Sequence, residues 1–311
     1  MSSLLRAPAI WLTDRRPVRW VLTKHPLGRR LVERFVAGED LEAAMAAARS
    51  LGGAGIATML DHLGENVASP QGAAEATDAY VRALKRIEEA PELDVAISVK
   101  LTQLGLDVSS RLCLENLERV LQAAARPEGG TLVMVDMEAS RYVDPILEAY
   151  LQVRDRYPHV GVCLQSYLRR TPGDARRIAA PGAVVRVVKG AYLEPPGVAL
   201  AGRGEVRRAF ARVAATLLGS GAVVHVATHD RRLIEGARRF VRVRSISRRR
   251  YEFQMLYGVR RDLQAALVRE GEPVRVYVPY GTQWYPYLAR RLAERPANMW
   301  FFLSNLARRG G

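Results

Sequence analysis

One feature of the sequence constrains its fold more than any other. From about residue 55, a short apolar run followed by a longer amphipathic segment recurs eight times. The runs are Gly55–Asp61, Val95–Leu101, Thr131–Glu138, Val160–Ser166, Val184–Ala191, Val223–Asp230, Tyr251–Leu256 and Val274–Gly281. They are rich in Val, Ile and Leu, which is typical of strands buried on both faces of a parallel sheet. Eight βα units without an evident linker predict a closed (β/α)8 barrel of the α/β class, rather than an open doubly wound sheet.

The amphipathic segments predict the barrel helices, and Pro and Gly residues mark where these helices end. The segments are Ala73–Glu89, Ser109–Ala125, Asp144–Arg156, Thr171–Ala179, Glu205–Leu218, Arg231–Phe240, Arg260–Glu270 and Tyr285–Arg295. Before the barrel, Asp40–Arg49 predicts a helix, and Asn298–Arg309 predicts one more after it. We therefore expect a helical extension at 1–54 and one barrel domain at 55–311, which includes the last helices.

Composition excludes several classes of protein. With 49% hydrophobic and 25% charged residues, the chain is not disordered. No uncharged apolar run approaches the roughly 20 residues that a membrane-spanning helix needs. Charged residues from Arg6 onward interrupt the N-terminal segment, which lacks the pattern of a secretion signal. Cys113 and Cys163 lie in apolar surroundings without a CxxC pair, as reduced and inert thiols do. These features predict a cytoplasmic protein.

Polar side chains follow almost every predicted strand. They are Asp61, Lys100, Asp136, Gln165, Lys189, His229, Gln254 and Tyr280. Active sites of (β/α)8 barrels lie at the carboxyl ends of the strands, although strand ends are also polar because they enter loops. Lys100 and Lys189 carry more information, because lysine otherwise occurs only at positions 24 and 85 in a chain rich in arginine. A compact ammonium group is therefore required at both strand ends.

Two histidines in one predicted strand raise the question of a metal site. His225 and His229 point to one face of the strand, and Asp61 and Asp136 are possible additional ligands. However, His225 lies among valines and the chain has no HxH or HExxH spacing. We therefore interpret His225 as a core residue and expect no metal.

The last barrel helix carries the sharpest pattern. Tyr287, Arg290, Arg291 and Glu294 follow one another at i, i+3, i+4 and i+7 and so share one face. Two guanidinium groups beside an aromatic ring are suited to bind a small carboxylate, and Glu294 is placed to orient one of them. An ordinary solvated helix face is the alternative in so basic a chain. The residue types alone predict a barrel enzyme for a small anionic substrate, with the reaction left open.

At these positions the sequence resembles the proline dehydrogenase family of flavoenzymes. The matching segments are SVKLTQLGL (98–106), VDMEAS (135–140), LQSYLRR (164–170), RVVKGAY (186–192), ATHD (227–230), YEFQMLYG (251–258) and the stretch 277–298 with YLARRLAERPAN. Each segment alone is weak evidence, but the ordered set over residues 55–300 is specific. It is most similar to the short, monofunctional bacterial enzymes, which also have a (β/α)8 barrel.

The resemblance implies FAD across the carboxyl ends of the strands. The implied cofactor-binding residues are Met137, Gln165, Arg186, Lys189, Gly190, Ala191, Thr228, His229, Gln254 and Glu294. It also implies that Lys100, Arg290 and Arg291 bind the proline carboxylate, while Tyr192, Leu256, Tyr277 and Tyr287 pack around the ring. Asp136 and Arg186 are the implied catalytic residues, with Asp136 holding Lys100 or Arg186. Glu65 is the implied gate, which pairs with Arg290 when substrate is absent.

The implied reaction is hydride transfer from proline C5 to flavin N5, which gives Δ1-pyrroline-5-carboxylate. Electrons then pass to a membrane quinone. The basic stretch Arg238–Arg250 suggests peripheral contact with anionic lipid at the inner face of the cell membrane, whereas a solvated loop is its ordinary interpretation.

Two alternatives remain open from the residues themselves. A strand-end lysine, Lys100 or Lys189, is a ready amine nucleophile for a Schiff-base lyase of the aldolase kind. The net charge of +15 suggests nucleic-acid binding. The chain lacks both a basic-aromatic stacking pattern and a motif that reads bases, so we expect no nucleic-acid partner.

The arginine pair yields a direct test. Arg291→Met should raise the Michaelis constant for L-proline by orders of magnitude, because a charged bidentate contact to the carboxylate is lost. Bound flavin should be unaffected, which a visible spectrum of the same preparation checks. Unchanged proline kinetics would mean that the carboxylate site lies elsewhere.

Overall fold

The sheet is a closed parallel barrel. In a computed structural model that describes residues 32–126 and 130–294 (290–294 by backbone alone), each strand pairs with the next and β8 pairs with β1. The strands are β1 Ala57–His62, β2 Val95–Val99, β3 Val133–Val135, β4 Val160–Gln165, β5 Val184–Val188, β6 Val223–Ala227, β7 Tyr251–Leu256 and β8 Val274–Tyr280. The predicted (β/α)8 barrel is confirmed.

Helices connect the strands on the outside of the barrel. They are α1 Leu41–Gly52, α2 Pro70–Glu88, α3 Ser110–Ala124, α4 Val143–Val153, α5 Thr171–Ile178, α6 Arg203–Gly219, α7 Arg231–Val243, α8 Arg261–Arg269 and α9 Trp284–Glu294. Several begin where a side chain satisfies a free backbone N–H group. Asp40, Ser69 and Ser109 each accept a hydrogen bond from the third residue after them, at the starts of α1, α2 and α3.

The described part of the extension, from residue 32, packs against the barrel. Helix α1 contacts β1 and β8, and it buries Ala44, Met45 and Ala48 in the same apolar core as the barrel helices. The helix predicted at Asp40–Arg49 is therefore present. The division at residue 54 stays a prediction, and the helix expected at Asn298–Arg309 lies outside the described residues.

Strand β3 is much shorter than its apolar run suggests. The run Thr131–Glu138 predicts a long strand, but β3 is confined to Val133–Val135. The chain leaves the sheet because the Glu138 carboxylate turns to the neighbouring β2–α3 loop, where it accepts hydrogen bonds from the backbone N–H (3.1 Å) and hydroxyl (2.5 Å) of Thr102. The polar end of this run thus belongs to the site and not to the strand.

The barrel interior combines a small apolar cluster with many charged groups. Met59, Ala96 and Met134 pack together, and Gly161 on β4 leaves room for them, because a Cβ there would lie 2.8 Å from Met134 Cε. Other buried interior side chains are polar: Asp61, Ser98, Lys100, Asp136, Gln165, Arg186, His225, Gln254 and Arg275. Such groups are stable inside a barrel only when they are paired with one another.

The basic stretch lies at the opposite end of the barrel from the carboxyl ends of the strands. It spans the end of α7 and a 3₁₀ turn, Arg248–Arg250, that leads into β7. Part of it is structural, because Arg238 pairs with Glu270 and Glu272, and Arg250 donates to backbone carbonyl groups of the α6–β6 connection.

Both cysteines are buried in the described barrel, as predicted. Burial raises the pKa of each thiol to about 12, so both remain protonated and unreactive at neutral pH. No helix of the described part of the chain is both long and apolar enough to cross a membrane.

Candidate active site

The site is built around the carboxylate of Asp136, at the end of β3. Its Oδ1 accepts hydrogen bonds from Arg186 Nη1 on β5 (2.7 Å) and from Ser98 Oγ on β2 (2.9 Å). Its Oδ2 accepts from the Tyr277 hydroxyl on β8 (2.7 Å). Burial opposes ionisation of Asp136, but the charges of Arg186 and Lys100 lower its pKa. Asp136 is therefore an ionised centre that links four strands.

Arg186 is held on both terminal nitrogens. Nη1 donates to Asp136 and Nη2 donates to Ser98 Oγ (3.2 Å), and the guanidinium lies 5.2 Å from the centre of the Tyr277 ring. Its Nε is buried and has no hydrogen-bond partner among the described residues. One donor of Arg186 is thus left for a bound group.

Lys100 lies between two carboxylates. Its Nζ donates to Asp61 Oδ1 on β1 at 2.6 Å and lies 3.6 Å from Asp136 Oδ2. Burial of Lys100 opposes its charge, but its acidic neighbours, Asp61 first among them and Asp136 as well, together outweigh this effect, and the pKa is raised well above its usual value. Lys100 is therefore a fixed ammonium group. From the sequence, Asp61 was identified as a polar strand-end residue and as a possible metal ligand, but its role as the partner of Lys100 was missed.

Lys189 is fixed in a different way, by the carboxylate of Asp230. Asp230 Oδ2 accepts from both Lys189 Nζ (2.7 Å) and Arg207 Nε on α6 (2.8 Å). Asp230 also begins α7, where Oδ1 accepts from the N–H of Arg232. Burial opposes ionisation of Asp230, yet these two cations lower its pKa to about 2. Arg207 carried no sequence signal, because it is one of many helix arginines.

The loop after β5 requires a glycine at Gly190. Its φ is +116°, and a Cβ there would lie 2.1 Å from Tyr167 Cδ1, so any other residue would be strained. Tyr167, just after β4, holds this loop with two hydrogen bonds. Its N–H donates to the Lys189 carbonyl group (2.9 Å), and its hydroxyl donates to the backbone carbonyl group of Tyr192 (3.3 Å). Gly190, Ala191 and Tyr192 are each half-buried beside Lys189.

The loops after β3 and β4 are joined through Gln165. Its amide donates from Nε2 to the Glu138 carbonyl group (2.7 Å), next to the buried side chain of Met137. Glu138 in turn holds Thr102, as described above. Glu138 was also missed as a site residue, although a second carboxylate two residues after Asp136, at the end of an apolar run, is a signal that could have found it.

The two histidines of β6 and its end each have a hydrogen-bond partner on β7. His229 Nε2 accepts from the Leu256 N–H (3.0 Å), so a neutral ring carries its proton on Nδ1. His225 is buried in the barrel, and burial lowers its pKa to about 4. Its interpretation as a core residue is therefore correct. Within residues 32–126 and 130–294, no cluster of three or more His, Cys, Asp and Glu side chains is placed to hold a metal ion.

The remaining predicted residues are placed only in part. Leu256 and Tyr277 are register partners on β7 and β8, and Thr228 is buried with its hydroxyl accepting from the Asp230 N–H. Tyr287 is buried in α9, and Glu65 is half-buried after β1. The side chains of Arg290, Arg291 and Glu294 lie outside the described part, so the carboxylate clamp and the Glu65–Arg290 gate stay predictions.

Sequence comparisons place this chain among proline-oxidising relatives. A sequence profile described as proline dehydrogenase matches residues 44–303. The chain is 40% identical over 281 residues to the proline dehydrogenase of Deinococcus radiodurans, which covers 89% of this chain and 90% of that protein. It is 35% identical over 276 residues to proline dehydrogenase 2 of Bacillus subtilis, with 89% and 90% covered.

Solved structures share the fold. The chain is similar to proline utilization A from Bdellovibrio bacteriovorus inactivated by N-propargylglycine, with a TM-score of 0.80, 21% identity, and 93% of this chain and 36% of that chain covered. The corresponding protein of Corynebacterium freiburgense gives a TM-score of 0.72 at 20% identity, covering 95% of this chain and 33% of that chain. This chain therefore spans about a third of those longer proteins.

The Asp230 carboxylate generates a test of this geometry by acid unfolding. Because its pKa falls from the usual 3.8 to about 2 on folding, its ion pairs stabilise the fold above pH 4, and this stability is lost as the pH falls from 4 to 2. A shift of this size corresponds to about 2 kcal/mol. Asp230→Asn should lower the free energy of unfolding at pH 7 by this order and flatten its slope between pH 4 and 2.

Asp262→Asn is the matched control for this experiment. Asp262 is exposed, and its ion pair in the described part of the chain is with neighbouring Arg260, so its loss should change stability and slope much less than the loss of Asp230 does. Urea unfolding at a series of pH values measures both variants. Equal slopes for the wild type and Asp230→Asn would contradict the assigned ion pairs.

Proposed function

Because the chain belongs to the proline dehydrogenase family, we propose that it oxidises L-proline to Δ1-pyrroline-5-carboxylate with FAD as cofactor and a quinone as electron acceptor. The observation that carries this proposal is the buried Asp136–Arg186 pair with Lys100 beside it, at the carboxyl ends of the strands. These are residue types and positions that the family resemblance requires. The charges of this pair are fixed before any ligand binds, as catalysis by preorganised electrostatics demands.

The described residues fit a flavin. The buried polar atoms that have no hydrogen-bond partner within the described ranges include the donor Arg186 Nε and the acceptor Gln254 Oε1 in the barrel. Unpaired buried polar groups are costly, so each is a place for a ligand atom. The isoalloxazine ring offers both acceptor nitrogens and an imide N–H donor. FAD, when bound, supplies the two-electron acceptor that no amino-acid side chain provides.

The cations of the site favour electron transfer toward such a ring. Arg186 is buried and permanently charged, and Lys189 is held in place by Asp230. Both would stabilise negative charge that develops on a reduced cofactor. The backbone of Gly190 and Ala191 would lie close to the cofactor. The other residues proposed to surround the cofactor are Met137, Gln165, Thr228, His229 and Glu294.

Lys100 would bind the substrate carboxylate as a point charge, together with Arg290 and Arg291 of α9. Leu256, Tyr192, Tyr277 and Tyr287 would enclose the pyrrolidine ring. Anchoring of the carboxylate fixes which ring carbon is presented for hydride loss. The proline ammonium group must first lose a proton. Asp136 is a poor base because its pKa is low and Arg186, Ser98 and Tyr277 already donate to it, so the proton passes to solvent.

The same geometry weighs against the Schiff-base alternative. A lysine nucleophile must lose its proton, but Lys100 donates to Asp61 and its pKa is raised. Lys189 is likewise bonded to a carboxylate. Borohydride trapping of a carbonyl substrate on either lysine would favour this alternative.

A membrane quinone as acceptor would require access to the flavin at the carboxyl ends of the strands. The basic stretch lies at the other end of the barrel, so lipid contact there would not bring the flavin to the membrane. We therefore treat electron transfer to a quinone and binding of the basic stretch to anionic lipid as two independent hypotheses.

The proposal is tested by a visible absorption spectrum of the purified protein under anaerobic conditions. We expect a flavin spectrum that bleaches on addition of L-proline, because hydride transfer reduces the ring. D-proline is the matched control, since a fixed carboxylate presents the wrong face of its ring and bleaching should be much slower. A flavin spectrum indifferent to L-proline would contradict the substrate, and a protein that is colourless even after FAD is added would contradict the cofactor.

A further inference from the structure

A second charged network lies in the barrel toward the amino-terminal ends of the strands, and the proposed chemistry does not use it. Arg275 on β8 donates from Nε to both Glu252 carboxylate oxygens on β7 (2.9 and 3.2 Å). Its Nη1 donates to Asp94 Oδ1 (2.9 Å) and to the Thr58 carbonyl group (3.0 Å). Burial opposes ionisation of Glu252, but the charged Arg275 that donates to it lowers its pKa. Glu252 is therefore an ionised carboxylate with a fixed orientation.

Glu252 determines which way the side-chain amide of Gln254 points. Gln254 Nε2 lies 2.6 Å from Glu252 Oε1 and 2.9 Å from His225 Nδ1. An ionised carboxylate only accepts hydrogen bonds, so the NH₂ end of the amide must face it. The neutral His225 ring, with its proton on Nε2, accepts the second amide proton at Nδ1. Both donors of Gln254 are thereby used.

The carbonyl oxygen of the same amide has no such partner. Glu252 lies two residues before Gln254 on the same face of β7. His225 on β6 is the register partner of Glu252. The amide nitrogen is thus drawn toward the amino-terminal ends of the strands, and the oxygen faces away from them. Gln254 Oε1 is buried without a hydrogen-bond partner in the part of the chain that the structure describes. It is an oriented acceptor that requires a donor.

We propose that Glu252, anchored by Arg275, is a positioning residue that fixes the amide of Gln254, so that Oε1 accepts a hydrogen bond from the imide N–H of the bound flavin. The inference rests on the proposed FAD site. It assigns to Glu252 and Arg275 a role that acts through Gln254 and not through contact with the cofactor. The imide is the N–H donor of the oxidised ring, which is why this group and not a ring nitrogen is the match for an acceptor.

The test uses the holoenzyme loaded with FAD that carries ¹⁵N at the imide nitrogen, observed by ¹H–¹⁵N correlation NMR. In the wild type we expect an imide proton shifted downfield and slow to exchange with solvent. In Glu252→Gln the orientation of Gln254 is no longer imposed, so the imide signal should move toward that of free FAD. The release of FAD on dilution can be monitored by FAD fluorescence. The dissociation constant of FAD should be roughly fivefold higher in Glu252→Gln than in the wild type, as loss of one hydrogen bond predicts.

Glu272→Gln is the matched control, because Glu272 also pairs with an arginine, Arg238, and accepts from the Tyr251 hydroxyl, but does not contact Gln254. Its imide signal should equal that of the wild type. Gln254→Met removes the acceptor while leaving the Glu252–Arg275 pair intact, and so tests the same bond if Glu252→Gln does not fold.

The outcomes separate the two proposals. A wild-type imide signal that persists in Glu252→Gln overturns the positioning role, and one that persists in Gln254→Met overturns the acceptor role. A shift in Gln254→Met without one in Glu252→Gln also overturns the positioning role. A wild-type protein that binds no flavin contradicts the proposed function itself.

Discussion

The site depends on one buried ion pair, between Asp136 and Arg186. Neither charge is stable in the barrel interior alone, because removal of one partner of a buried pair costs about 3–5 kcal/mol. Ser98 and Tyr277 complete the hydrogen bonding of the carboxylate, so β2, β3, β5 and β8 must meet in one register. This requirement explains why the interior is polar where an ordinary barrel would be filled by branched apolar side chains.

The barrel thereby holds two charged networks along its axis, with different roles. The network of Asp61, Lys100 and Asp136 lies at the carboxyl ends of the strands, where we propose that the substrate carboxylate binds. The network of Glu252 and Arg275 lies toward the amino-terminal ends. Both networks are built from fixed charges. In our proposal the network of Glu252 and Arg275 affects the site at the carboxyl ends of the strands only by orienting the side-chain amide of Gln254.

The fold was predictable from the sequence because each strand carries its own apolar run and each barrel helix its own amphipathic segment. The site was predictable in part. Lys100 and Asp136 were found because they lie at strand ends, whereas the arginine pair inferred from helical spacing lies outside the described side chains and stays a prediction. Partners across strands, such as Asp61 for Lys100 and Arg275 for Glu252, were missed, since they depend on barrel register, which no local pattern contains. For the same reason the length of β3 was wrong: its last residues turn to a neighbouring loop.

The central claim is that the ionised Asp136 organises the site for hydride loss from the substrate. The most direct measurement is the anaerobic rate at which saturating L-proline bleaches the flavin in Asp136→Asn, with Asp144→Asn, an exposed partner of Arg170, as control. We predict a rate at least about 100-fold lower for Asp136→Asn with the flavin still bound, and an unchanged rate for the control. A wild-type rate in Asp136→Asn would contradict the account.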